Sequence, residues 1–158
     1  MLVEQIGKLR NKVGVAAVLP LVLFAGAAAA GHVTGDQINE CIDKITAIDV
    51  TVLEHKRPAA EQRVEDALQR KLDSAQGKLR AAKRKFRVGK HADGERKVEE
   101  ALAALNDFYE KVNLLADAGK ISEYSAGVLL FGTDGQPGND DGGVDAAIDC
   151  VDGLLPAA

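Results

Sequence analysis

An all-α fold, a small antiparallel bundle of four to five helices, is predicted by three observations. Two long apolar stripes at helical spacing follow one another through the middle of the chain, from Val64 to Leu115. A glycine-marked turn joins them, so they are forced to pack as neighbours. The composition agrees: four Phe, two Tyr and no Trp stand against abundant Ala, Leu and Val, which suits close helix packing better than sheets or a large ligand pocket. A length of 158 residues gives room for one domain with one hydrophobic core, at residues 31–158 once the N-terminus is set aside.

Residues 1–30 are laid out like a secretory signal. Lys8, Arg10 and Lys12 form a basic start, an apolar run follows from Val13 through Leu23-Phe24-Ala25, and small residues fill Ala27 to Ala30. Cleavage after Ala29 or Ala30 would leave a mature protein beginning near Gly31. The competing reading is a retained anchor, since Val13 to Ala30 reaches the lower length for a membrane span; its Ala-rich second half weighs against this. Export places Cys41 and Cys150 in an oxidising environment, where an even pair closes. Their bridge would close a loop worth about 4 to 5 kcal/mol in lost chain entropy, the alternative being two independent buried thiols. Their wide spacing supports neither a redox nor a metal-binding cysteine motif.

The first helix is capped by Thr34 or Asp36 and turns Ile38, Cys41, Ile42, Ile45, Ile48 and Val52 inward. It must end before Pro58, which is suited to open the next helix, and leaves Lys56-Arg57 in the turn. The hairpin's first stripe is Val64, Leu68, Leu72, Ala75, Leu79, Ala82 and Phe86; the second is Val98, Leu102, Leu105, Phe108, Val112 and Leu115. Val88 to Gly94 forms the expected link, with a cap near Asp93, and Gly119 closes the second helix. Ser122 caps a short helix that carries Tyr124, Val128, Leu129 and Phe131 and stops at Gly132. Residues 132–143 are a Gly/Asp/Asn-rich loop with Pro137. A last helix from about Asp141 presents Val144, Ile148, Val151 and Leu155 beside Cys150, in reach of the first helix.

The run Leu68-Gln69-Arg70-Lys71-Leu72-Asp73-Ser74-Ala75 is followed by Ala101, Leu105-Asn106-Asp107-Phe108 and Val112. Gly119-Lys120-Ile121 then leads to Ala126 and Leu129. Over about residues 64–131 this order resembles the FIMAH domain, a helical module of extracellular bacterial proteins. The matching positions are mostly packing positions. The link between the hairpin helices is expected to be longer and more basic than in that family, and the Gly/Asp loop interrupts the terminal helix. The resemblance implies a non-catalytic module and identifies no ligand.

Charge is unevenly placed within a net −4. Lys78 to Lys97 holds nine Lys/Arg against Asp93 and Glu95, whereas Glu123 to Ala158 holds seven acidic residues and no Lys or Arg. The basic run Lys78, Arg80, Lys83, Arg84, Lys85, Arg87, Lys90 and His91 ends one helix, where cations are favoured by the helix dipole without any ligand. Its candidate anion-binding residues are Lys83, Arg84, Lys85, Arg87 and Lys90. They would suit an anionic cell-envelope polymer, an anionic membrane surface or the protein's own acidic tail. Export and net negative charge speak against nucleic acid. Asp134, Asn139, Asp140, Asp141 and Asp145 offer oxygen ligands of the kind calcium takes, but the EF-hand spacing is absent, and a solvated loop ending in a helix cap accounts for them.

Nothing predicts catalysis. His32, His55 and His91 are isolated, and there is no HExxH helix, nucleophile elbow or phosphate-cradling glycine loop. Glu99-Glu100 point to different parts of a helix surface. No cofactor or metal is implied. The expected function is an exported, non-catalytic helical binding or structural module that mediates protein contacts at the bacterial cell surface or in the medium, with an exported polyanion- or cation-binding protein as the alternative.

Overall fold

The computed structural model describes residues 33–53, 58–132 and 142–156. The expectations for the signal (1–30), for His32, for His55 with Lys56-Arg57 and for Asp134, Pro137 and Asn139 to Asp141 lie outside them. Among the described residues there are five helices and no strand: α1 (Gly35–Thr46), α2 (Pro58–Arg87), α3 (His91–Asp117), α4 (Glu123–Phe131) and α5 (Gly143–Asp152), with a 3-10 turn at Val50–Val52. None of them is long and apolar enough to cross a membrane.

The two stripes build an antiparallel hairpin of α2 and α3, the most extensive helix contact in the molecule. Leu68, Leu72, Ala75, Leu79 and Ala82 of α2 are buried against Val98, Ala101, Leu105, Phe108 and Val112 of α3. The link is three residues, not the expected seven. Gly89, at φ 73°, takes the left-handed position that ends α2. Its N–H donates to the Phe86 carbonyl and that of Lys90 to the Lys85 carbonyl, the paired bonds of a Schellman motif. α3 therefore starts at His91, its cap position is Lys90 and not Asp93, and Lys90 supplies no side-chain cap. Gly94 lies inside the helix because the Phe86 ring packs on it: a Cβ there would sit 2.7 Å from that ring.

The shorter helices cover one side of the hairpin. α1 opens with a capping box between Thr34 and Gln37 and buries Ile38, Cys41, Ile42 and Ile45. It ends at Thr46, earlier than the apolar spacing suggests. Asp49 breaks the pattern by accepting bonds from the N–H and hydroxyl of Thr51, which starts the 3-10 turn; Ile48, Val50 and Leu53 still reach the core, and Val52 is half-buried. α4 is capped by Ser122 and stopped by Gly132 as expected, but its inner face is Ser125, Ala126, Leu129 and Leu130. Tyr124 is 64% exposed, since it lies one position off that face. α5 starts at Gly143, whose φ of 82° and tight approach to α4 leave no space for a side chain: a Cβ would lie 2.5 Å from the Gly132 nitrogen. Val144, Ala147 and Val151 face inward, followed by Leu154 instead of Leu155, because the helix has already ended at Asp152. All five helices and the 3-10 turn share one apolar core.

Candidate functional site

The basic run falls on three flanks of one helix, and each flank treats its charges differently. Along the flank of α2 that faces α3, Lys71 pairs with Asp107 (3.3 Å), Lys78 with Glu100, and Lys85 with Asp93 (3.2 Å). The lysines are spaced by seven residues, the acids are spaced by seven, and every pair is symmetrical about Gly89. This row therefore reads out the hairpin's register. Lys97 adds a second cation to Glu100, and Arg96 a second to Asp93 at 3.3 Å. Hydrogen bonds from Lys78 and Lys97 depress the Glu100 carboxyl to about 2. The hydrogen bond and charge of Lys85, with weaker help from Arg96 and Lys90, hold Asp93 below the usual carboxylate range.

The flank of α2 that faces α1 is also engaged. Lys83 passes its stem over Gly35, with Cε 3.1 Å from where a Cβ would stand, and donates to Asn39 Oδ1 at 2.8 Å. Two turns earlier, buried Gln76 donates to the Thr46 hydroxyl at 3.3 Å, which donates on to the Ile42 carbonyl at 2.8 Å. The carbonyl oxygen of Gln76 accepts a bond of 3.0 Å from Arg80 Nη2.

The outer flank carries Arg80, Arg84 and Arg87, all exposed, and runs into exposed Lys90 at the turn. Arg84, Arg87 and Lys90 make no ion pair among the described residues. The five sequence-predicted anion-binding residues are thus divided: Lys83 and Lys85 are engaged with other parts of the fold, while Arg84, Arg87 and Lys90 face solvent. Exposed His91 adjoins them, its ring 6.0 Å from that of Phe86. Val88, 62% exposed at the tip, is the apolar member of this end.

No family model, curated protein or solved structure matches the chain.

Elsewhere the described residues offer little chemistry. The outer face of α1 lines a shallow groove with Asp36, Asn39, Glu40, Asp43 and Lys44, and Gly142 also contributes to its lining. No cluster of three or more His, Cys, Asp or Glu able to hold a metal exists among the described residues; of the proposed oxygen ligands only Asp145, in the first turn of α5, lies within them. Cys41 of α1 and Cys150 of α5 form a disulfide with Cα atoms 5.5 Å apart, within the range such bridges span.

Sequence reasoning missed three features. The lysine–acid row had a legible signal, the matched seven-residue spacing either side of Gly89. Buried Gln76 and Ser125 had none, since a polar residue inside a periodic stripe looks like a surface residue until its partner is known. Ser125, fully buried, donates to the Val52 carbonyl at 3.2 Å and so ties α4 to the 3-10 turn.

Proposed function

We propose that this chain is an exported, non-catalytic helical module that works by binding a macromolecular partner at the bacterial cell surface or in the medium. The observation that carries the reading is the Cys41–Cys150 bridge: a bond joining the first and last helices is a device of oxidising compartments. The signal-like layout of residues 1–30 and the resemblance of residues 64–131 to the FIMAH module point the same way. In the interior, the buried polar side chains Gln76 and Ser125 are occupied in tying elements together. A protein partner would find apolar contacts at Leu114 and Tyr124, exposed by 63% and 64%.

A second reading, an exported polyanion-binding module, is favoured by one specific observation. Arg80, Arg84, Arg87 and Lys90 stay exposed after the neighbouring lysines have been matched internally. The test common to both is retention by washed envelopes of the producing cells. The oxidised protein should co-sediment saturably, and a protein that stays in the supernatant at every concentration would contradict surface binding.

A further inference from the structure

The geometry points to the outer flank of α2, Arg80, Arg84 and Arg87 with Lys90 at the turn, as a binding site for a linear polymer of phosphate groups. This deepens the polyanion reading above and rests on it.

The sorting of cations by residue type is the first argument. Lysines 71, 78, 83 and 85 are engaged within the molecule, three of them in the register row and one on Asn39. The cations left on the outer flank are arginines, whose planar guanidinium binds phosphate through two parallel bonds. Positions 80, 84 and 87 follow the i, i+4, i+7 pattern of one helix face and span about 10 Å along the axis at 1.5 Å per residue. The result is a line of cations and not a ring.

Local charge is the second argument. No acidic residue stands between Asp73 and Asp93 in the sequence, and Asp93 is turned to Lys85 and Arg96. α1's carboxylates Asp36, Glu40 and Asp43 make no ion pair with these arginines among the described residues. Arg80 is held in place by Gln76, which is anchored in turn through Thr46 to the Ile42 carbonyl, so one guanidinium of the line is pre-positioned.

The third argument selects the class of ligand. A protein partner gains from large aromatic or apolar anchors at the centre of its contact, yet helical spacing sets Asp73, Gln76, Gly77, Ala81 and Lys83 beside these arginines, and none of them is a large apolar side chain. Gly77 is open, with nothing within 4 Å of where a Cβ would be. A membrane surface would call for apolar residues spread round the tip, and Val88 alone is exposed there. Recognition by charge along a line fits a flexible polyanion.

The test measures binding of long-chain inorganic polyphosphate to the oxidised protein across a salt series, with circular dichroism to show that every variant is folded. Wild type should bind with a log–log salt slope of about −2 to −3, as expected for three to four phosphate contacts on a single chain. R84E/R87E should weaken binding at least ten-fold and flatten the slope. R84K/R87K should lose a few-fold, because charge is kept and the paired bonds are not. K111E/K120E, the same charge change at the far end of the hairpin, should stay within two-fold of wild type. Equal losses in R84E/R87E and K111E/K120E would overturn the site, as would tighter binding to phosphatidylglycerol vesicles than to polyphosphate. A wild type retained by envelopes but indifferent to polyphosphate would overturn this inference alone; one retained by neither would overturn the binding-module reading as well.

Discussion

Two glycines in the hairpin show how a single missing Cβ carries opposite meanings. Gly94 is under the Phe86 ring, so Gly94→Ala should overpack the turn and destabilise the protein by about 1 kcal/mol or more, after the gain in helix propensity is deducted. Gly77 has open space around it in the middle of α2, and Gly77→Ala should stabilise by about 0.5 to 1 kcal/mol. Thermal unfolding of the two variants checks both signs. Glu100 offers a third residue-level test. Its carboxyl falls from an ordinary 4.5 to about 2 in the fold, so its contribution is complete above pH 4.5 and is lost as pH falls through about 2. Glu100→Gln should therefore remove part of the rise in stability between pH 2 and 4.5. A wild-type and variant difference that does not change over that interval would show that the Lys78 and Lys97 bonds are absent in solution.

At the scale of elements, the row of Lys71, Lys78 and Lys85 against Asp107, Glu100 and Asp93 makes the hairpin register testable. Lys71→Asp or Asp107→Lys alone should lower the melting temperature slightly, and the exchanged pair should recover part of it, since exposed pairs contribute little individually. Leu105→Ala, at the buried centre of α3, should cost about 2 to 5 kcal/mol. The hairpin itself was legible in the sequence because a 3.6-residue period over so many turns has no other solution. Its link was misjudged because Gly89 and Gly94 read alike: one is needed for its left-handed backbone, the other for a ring packed on it. The end of α1 was misplaced for a local reason, the side chain of Asp49 competing with helical hydrogen bonding just where Ile48 and Val52 keep the apolar spacing. As for the candidate site, the density of charge was visible in sequence, but its division was not. Whether a cation is free depends on which flank of α2 meets α3 or α1, and that is a property of the packed bundle.

On the scale of the whole molecule, the Cys41–Cys150 bridge fastens α5 to α1 across 109 residues of sequence. Every apolar stripe remains when it is opened, so reduction or the Cys41→Ser/Cys150→Ser pair should cost about 2 to 4 kcal/mol while leaving helicity in place. The hairpin tip, away from the bridge in sequence, carries the exposed arginines. α1 and α5 carry acids, among them Asp36, Glu40, Asp43 and Asp145. A molecule that is acidic overall can still meet an anionic polymer with its basic flank, because Arg80, Arg84, Arg87 and Lys90 make no ion pair with those acids among the described residues, and charges farther off than about 8 Å are largely screened at physiological ionic strength. The central claim, an exported and disulfide-closed module, is tested most directly by the intact mass of the protein recovered outside the producing cells without reductant. The account predicts a chain beginning near Gly31 and lighter by two hydrogens than its reduced form. A chain recovered only inside the cells, starting at Met1 and with both thiols free, would contradict it.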